Sequence, residues 1–526
     1  MIKSTFTFLF LVSFLSAVKG QVCFASEIWT PYADAGQGIT SQDFDGDGKP
    51  DIVATLGYAG KIQRLKGLGT GSFASVGLLT ANYSPECITS GDFNNDGKMD
   101  VAVNNGMYTA TIFKGNGAFG FSVSSPSAML IGWIPKGIAN ADFNNDGQND
   151  LALANANTNN VSVLLANGSS YGPNASLYAV GTEPRSVVTA DFNGDGNNDI
   201  ASANTMGNSV SILSGNGAGG FAPAVSYNTD ISPGAITTDD FNNDGNIDIV
   251  TANCGPNSFT TTISLLLNNG LGGFNPVVNL FIGNYPYSIA SGDFNGDNNR
   301  DLVVAVSFTK QLAVLVGNGS GSFLTPLYIN LVDYPCLVIT NDFNMDGKDD
   351  IAIGYVYGLS TLLNISNTLS VSASPSVICA GGSATLQVSN GSKNYFWDNG
   401  STDSILVVSP LTTSSYTVSS VTNSNCTNSS VLTVSVSACV GINNLMEDEN
   451  DFLNVYPNPG TSCFNIESKV DMLINISSIS GRVVKTIKLN DSNFHKTTFN
   501  ELPCGVYFIT TQTPVNRIIR KIVVGP

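Results

Sequence analysis

The first 365 positions are dominated by short runs in which apolar and polar residues alternate, set between polar segments rich in Asp, Asn and Gly. Alternation with a period of two places one set of side chains on a core and the other outward, which is the pattern of a β-strand. Runs such as Ile39-Thr-Ser-Gln42, Ile88-Thr-Ser-Gly91 and Ile289-Ala-Ser-Gly292 lead into a polar segment, and Ile52-Val-Ala-Thr55 or Leu302-Val-Val-Ala305 leads out of it. A third run follows, for example Val161-Ser-Val-Leu-Leu165 or Val210-Ser-Ile-Leu213. Then comes a Gly-rich turn ending on an aromatic, as in Gly67-Leu-Gly-Thr-Gly-Ser-Phe73, Gly215-Asn-Gly-Ala-Gly-Gly-Phe221 and Gly317-Asn-Gly-Ser-Gly-Ser-Phe323. A fourth strand leads to a proline seven residues before the next polar segment, at Pro85, Pro135, Pro184, Pro233, Pro286 and Pro335.

The polar segments are copies of one motif. Asp43-Phe-Asp-Gly-Asp-Gly-Lys-Pro-Asp51 recurs with its first Asp at 92, 142, 191, 240, 293 and 342, at intervals of 49, 50, 49, 49, 53 and 49 residues. A fixed period near 50 means one unit repeated, and such a unit buries a core only by stacking on its neighbours. Seven four-stranded units predict an all-β chain whose main part, 21–366, is a seven-bladed β-propeller. After the seventh motif a third strand, Leu359-Ser-Thr-Leu-Leu-Asn364, has no fourth partner, while Phe24-Ala-Ser26 stands 19 residues before Asp43 just as Phe73-Ala-Ser75 stands 19 before Asp92. Residues near 23–33 are therefore expected to supply the outer strand of the last blade and latch the ring, since closure protects strand edges.

Each copy reads Asp-x-Asp/Asn-x-Asp-Gly-x-x-Asp, with side-chain oxygens at positions 1, 3, 5 and 9, and a backbone carbonyl available at 7. That is a donor set for a hard cation; calcium takes about six to eight oxygens. The expected ligands are Asp43, Asp45, Asp47, Lys49 (carbonyl) and Asp51 in the first loop, and Asp92, Asn94, Asp96, Lys98 and Asp100 in the second. The third and fourth offer Asp142, Asn144, Asp146, Gln148 and Asp150, then Asp191, Asn193, Asp195, Asn197 and Asp199. The last three offer Asp240, Asn242, Asp244, Asn246 and Asp248; Asp293, Asn295, Asp297, Asn299 and Asp301; and Asp342, Asn344, Asp346, Lys348 and Asp350. Asn298 replaces the turn Gly in the sixth loop, which is expected to weaken that loop without abolishing it. Polar turn chemistry alone explains one such segment. Seven at a single period point to as many as seven calcium ions.

Charge fits this reading. The loops hold 22 of the 40 acidic residues, so seven divalent ions would take the formal charge from −18 to −4. The acidity is thus local to the loops, and no basic face is left for nucleic acid. The single histidine, His495, lies far from the repeats, which excludes a Ser-His-Asp triad or a His-ligated zinc there. The connections between blades share the face opposite the loops with the turns between second and third strands. The connections hold Tyr83, Trp133, Tyr285, Tyr287 and Tyr334, the turns Tyr58, Tyr108, Tyr355 and Tyr357, beside Lys136, Arg185 and the acids Asp34, Glu86, Glu183, Asp230 and Asp333. Aromatic walls with few polar groups suit a sugar or a peptide loop; packing between blades is the alternative for any single tyrosine.

On the loops, the Gly-rich turns and the prolines, residues 23–365 resemble the FG-GAP and VCBS repeats, the calcium-loop blades also found in integrin α-subunit propellers. Members include adhesion proteins, sugar-binding proteins and domains attached to enzymes, so the resemblance implies a fold more sharply than an activity. The expected function is non-catalytic binding or adhesion to glycans or proteins; the other reading is a polysaccharide lyase or hydrolase using the aromatic face, a carboxylate-pair mechanism being open to it.

The ends of the chain give the destination. Lys3, the apolar run from Phe6 to Val18, and small residues up to Gly20 predict a signal peptide over 1–20, and no transmembrane segment is expected. Residues 368–438 turn to Ser, Thr and Val in alternating segments and resemble the Ig-like modules of secreted bacterial surface proteins, with Cys379, Trp397 and Cys426 in the corresponding order. That resemblance implies a Cys379–Cys426 disulfide, which export permits. Trp397 is expected in the core, with surface sugar-stacking as the alternative. The other blade-side cysteines, Cys23, Cys87, Cys254 and Cys336, with Cys439, are expected as buried free thiols. An acidic linker covers 439–451. Residues 452–526, with Val455-Tyr-Pro-Asn-Pro-Gly460, Gly481-Arg-Val-Val484, Leu502-Pro-Cys-Gly-Val-Tyr-Phe-Ile509 and Lys521-Ile-Val-Val524, resemble the type A sorting domain of the type IX secretion system of Bacteroidetes. The resemblance implies recognition by that machinery, passage across the outer membrane, and release or attachment at the cell surface.

Overall fold

A computed structural model describes residues 22–437 and 453–524, except 33–35, 82–83, 124–128, 169, 172–173, 256–259, 367–368, 390–393, 422–426, 457–463, 470, 491–495, 500–501, 504 and 513–516. The expected signal peptide and the linker 439–451 lie outside the described residues. Contacts divide the chain into two compact units, 1–437 and 438–526.

Seven antiparallel sheets fill residues 28–362. Their innermost strands are Gly36–Gln42, Pro85–Gly91, Pro135–Ala141, Pro184–Ala190, Pro233–Asp239, Pro286–Gly292 and Leu337–Asn341, and they define blades 1 to 7 in that order. Each innermost strand packs on the next, and the first packs on the last, so the sheets form a closed β-propeller. Burial follows distance from the axis. The second strands, such as Asp301–Val306, are buried at every residue, because both faces meet a neighbouring blade. Their sequences accordingly read as continuous apolar runs. Fourth strands such as Val225–Asn228 and Leu327–Asn330 are largely exposed. The core is correspondingly interblade: Phe294, Val303 and Leu312 of blade 6 pack with Val338, Ile351 and Ile353 of blade 7.

Blade 7 takes its outer strand from the start of the chain. Ile28–Pro31 runs antiparallel to Gly358–Leu362, with Ile28 opposite Thr361 and Pro31 opposite Gly358. Phe24 bridges Asn364, and the Ala25 and Ile365 N–H groups donate to the carbonyls of Leu363 (2.8 Å) and Cys23 (2.9 Å).

Residues 370–437 form two further sheets, of three and four strands. Trp397 is 3% exposed among Leu386, Val418 and Val434, and its Nε1–H donates to the Asp403 carbonyl at 2.8 Å, which places it in the core. Cys379 is disulfide-bonded; Cys426, its expected partner, lies outside the described residues. In the unit 438–526 a three-stranded and a four-stranded sheet enclose Ile466, Ile474, Ile476, Leu489, Ile509 and Ile522. No helix among the described residues is long and apolar enough to cross a membrane.

Candidate functional site

All seven Asp-rich loops join the first and second strands of a blade and share one backbone geometry. The position-1 carboxylate accepts the N–H of position 6 at 2.7–2.8 Å in every loop, from Asp43 with Gly48 to Asp342 with Gly347. Position 6 must turn left-handed to present that N–H. The glycines there have φ of 78° to 85°, and Asn298 reaches 61° and donates to Asp293 at 2.8 Å. The sixth loop thus keeps the turn that Gly makes elsewhere, with Asn in a left-handed conformation that costs it more than it costs Gly. The position-5 carboxylates each accept the N–H of position 7 at 2.8–3.1 Å.

Position 9 is a different kind of residue. Asp51, Asp100, Asp150, Asp199, Asp248, Asp301 and Asp350 are all fully buried. One oxygen accepts the N–H of the loop's position-2 Phe at 2.9–3.1 Å, the other an N–H at the end of the third strand at 2.6–2.8 Å. Each bolts its loop to its own blade. Burial pushes these carboxyls up to about 6, and to about 7 for Asp301 and Asp350, although the backbone donors pull the other way.

The structure brings the side chains of Asp43, Asp45 and Asp51 to within 4.8 Å of one another. Asp47 instead turns to Lys49 (3.0 Å) and Lys66 (3.2 Å), and Lys66 also pairs with Asp45. The hydrogen bond from Lys49 leads in holding the Asp47 carboxyl down at about 2. In three of the other loops the position-3 amide donates to an acid: Asn94, Asn144 and Asn242 to Asp100, Asp146 and Asp244 at 2.9–3.1 Å. Lys98 and Lys348 lie 3.9 and 3.6 Å from Asp96 and Asp346, so position 7, read from the sequence only as a carbonyl, also brings a cation in three loops. The donors are carboxylate and amide oxygens in clusters that already attract ammonium and amide N–H groups. Such a set fits a hard dication.

Two further residue types tie the loops together, and periodicity alone did not mark them. The position-2 phenylalanines are buried between blades; Phe44 packs on Phe119 and Phe121, Phe143 on Phe221, and Phe343 on Phe73. Four of their carbonyls accept backbone N–H groups from the next blade: Phe119 to Phe44, Gly219 to Phe143, Gly321 to Phe241 and, across the closure, Gly71 to Phe343. Between loops, Asn145 and Asn243 donate to Asn197 and Asn299 at 2.9 and 2.7 Å. An aromatic at one fixed motif position, repeated seven times, was the available signal.

On the opposite face Trp133, Tyr287 and Tyr334 are exposed by 49, 43 and 51%, and Tyr285 stacks on Tyr287 with centroids 5.9 Å apart. Tyr83 lies outside the described residues. Tyr355, grouped with these aromatics from its place in a turn, is instead fully buried: it packs on Trp29, and its hydroxyl donates to Glu27 at 2.6 Å. Three cations of this face are paired, Lys136 with Glu86 (2.5 Å), Arg185 with Glu183 (2.9 Å) and Lys310 with Asp333 (3.4 Å). Cys87, Cys254 and Cys336 are free thiols, whereas Cys23, expected as one, is disulfide-bonded beside the latch.

Residues 43–103, 142–202, 191–251, 240–304 and 293–353 match the family of FG-GAP-like repeats, residues 88–122 match the FG-GAP repeat, and residues 454–525 match the secretion system C-terminal sorting domain. No curated protein matches significantly. Similar solved structures include a functionally unknown protein from Desulfotomaculum acetoxidans, 16% identical with a TM-score of 0.42 over 56% of this chain and 85% of that one. Another is a putative 6-phosphogluconolactonase from Bacteroides fragilis, 15% identical with a TM-score of 0.45 over 57% of this chain and 85% of that one. The sorting domain directs export across the outer membrane by the type IX machinery, to the cell surface or beyond. With its repeats spanning half of its length, the chain belongs to the FG-GAP-like repeat proteins and carries a C-terminal secretion sorting domain.

Proposed function

We propose that this exported protein is a calcium-stabilised scaffold that binds glycans or proteins, without catalysis, on the propeller face opposite its Asp-rich loops. Calcium would be held by the oxygens at positions 1, 3, 5, 7 and 9, from Asp43, Asp45, Asp47, the Lys49 carbonyl and Asp51 in the first loop to Asp342, Asn344, Asp346, the Lys348 carbonyl and Asp350 in the seventh. Its chemistry there is charge neutralisation of clustered carboxylates. The unit 368–438 reads as an Ig-like spacer and 452–526 as a sorting domain that is removed after export.

The observation that carries the binding role is the exposure of Trp133 and Tyr334 on blade connections, and of Tyr287 at the start of the strand Pro286–Gly292, on a single face. Aromatic rings left in water on rigid connections are common in recognition surfaces. The test is a glycan array, together with binding to whole cells, for the mature chain and a Trp133→Ala/Tyr285→Ala/Tyr334→Ala variant. Loss of binding with an unchanged melting temperature is expected; retained binding would remove this face from consideration. Assays on a polysaccharide panel, with and without chelator, should show no turnover.

A further inference from the structure

The first Asp-rich loop differs from the other six in one ligand and one neighbour. Its position 3 is Asp45, where the others have Asn. The neighbour is Lys66, next to last in the third strand Lys61–Gly67, whose final N–H, that of Gly67, donates to the buried Asp51 at 2.8 Å. The bond that bolts position 9 to the blade thus also plants a lysine beside its own loop. Lys66 Nζ pairs with Asp45 and lies 3.2 Å from Asp47 Oδ2, an oxygen that Lys49 Nζ also takes at 3.0 Å. The Asp45 side chain is only 11% exposed, so this pairing is partly shielded from water.

The combination belongs to blade 1 alone. The residue in the place of Lys66 is Lys114 in blade 2, then Leu165, Ser214, Leu267, Val316 and Leu363. Leu165, Leu267 and Leu363 reach the Gly-rich turn of the next blade, where a Cβ on Gly219, Gly321 or Gly71 would lie 2.4–2.6 Å from them. In blade 2 position 3 is Asn94, which offers a lysine no carboxylate; its amide donates to Asp100 at 3.0 Å, and Lys98 lies 3.9 Å from Asp96. Loops 3 to 6 have neither lysine nor arginine at position 7 or in the place of Lys66.

Blade 1 is also one side of the seam at which the ring closes. The Gly71 N–H of its Gly-rich turn donates to the Phe343 carbonyl of the seventh loop at 3.0 Å, and Asn341 donates to Ser41 Oγ at 3.1 Å. Four carboxylates and two bonded ammonium groups leave the first loop a net −2 before any metal arrives. To use Asp45 and Asp47, calcium must displace Lys66 from both and then lie close to its charge, a repulsion that loops 3 to 6 do not meet from these positions. We infer that Lys66 is a tethered cation that competes with calcium, so that the first loop takes the metal less readily than loops 3 to 6 and the seam is held closed without it. This rests on the calcium reading above and goes beyond it by ranking the loops.

The experiment is calorimetric titration of the metal-free mature chain with calcium, with melting curves in chelator and in saturating calcium. Lys66→Met removes the charge and keeps most of the stem, Lys66→Arg keeps the charge, and Lys66→Met/Asp45→Asn gives the first loop the position-3 residue of the others at the same net −2 as the parent. In the parent one calcium ion should bind about tenfold more weakly than the main class, the scale of two partly exposed ion pairs. Lys66→Met should tighten that ion about tenfold and lower the melting temperature in chelator but not in saturating calcium. The double variant should bring the ion into the main class and melt in chelator as the parent does, which carries the affinity test if Lys66→Met is too unstable to titrate; Lys66→Arg should match the parent. An isotherm that Lys66→Met and the double variant leave unchanged or weaken would overturn the competition while leaving the calcium reading intact. Unaltered melting of Lys66→Met in chelator would overturn its role at the seam. No calcium uptake by the parent or any variant would sink both readings.

Discussion

The motif treats its carboxylates alike, but burial separates them. Asp248 is fully buried with both oxygens occupied by N–H groups, from Phe241 at 3.0 Å and Asn268 at 2.7 Å. Asp244 sits on the exposed rim of the same loop, touched by Asn242 and Asn246. Asp248→Asn keeps the shape but sets an NH2 group against a backbone donor, and leaving a buried donor unpaired costs about 1–3 kcal/mol. That loss should appear in urea unfolding with calcium and with chelator alike. Asp244→Asn should cost stability only in calcium, because it removes a ligand charge and little else. Equal behaviour of the two variants in chelator would mean that position 9 is no more structural than position 5.

At the level of elements, the latch carries more than its four residues suggest. Without Ile28–Pro31 the strand Gly358–Leu362, buried at every residue, would present an open edge. Deleting residues 22–31 from the mature chain should therefore yield dimers or aggregates on size exclusion and faster trypsin cleavage within 337–362; a monomer as protease-resistant as the parent would contradict this. The four-strand sheets were legible because alternation and turn chemistry agree with each other at every repeat, as at Ile52-Val-Ala-Thr55 and Gly67–Phe73. What escaped depends on partners distant in sequence. Tyr355 looks like any turn tyrosine until Glu27, 328 residues away, is seen to take its hydroxyl. The buried amides of Asn155, Asn204 and Asn253 bond to Ser162, Ser211 and Ser264 and so fix the connections of blades 3 to 5, but in the sequence they are only polar residues that end a strand. The left-handed residues before proline, Ile134 among them, run against local preference and become visible only when the surrounding bonds are known.

Over the whole molecule the buried carboxyls act in parallel, and the sign of their effect sets a test of the calcium reading. In each blade a position-9 carboxyl is raised on folding, to about 6 in five blades and about 7 in two, from an unfolded value near 4. Between those values the native state holds protons that the unfolded chain has released, so stability falls as pH climbs through this window. Seven groups add in the same direction, on a chain whose formal charge of −18 already opposes a compact metal-free state. Calcium needs the ionised carboxylates, so its binding releases these protons and tightens as pH rises through the same window. The melting temperature in chelator should therefore drop from about pH 4.5 to about pH 7.5, while in saturating calcium it stays level or rises, and the gap between the two curves should widen steadily. Because the ring is closed and each loop is bonded to the next blade, through backbone N–H groups or the amides of Asn149, Asn268 and Asn364, the propeller should lose its structure in one transition at either end of that range, unlike an open array, which can fray from its ends. Parallel curves with and without calcium across the window would show that the loops do not exchange protons for metal, and that the acidic repeat holds the ring by its hydrogen bonds alone.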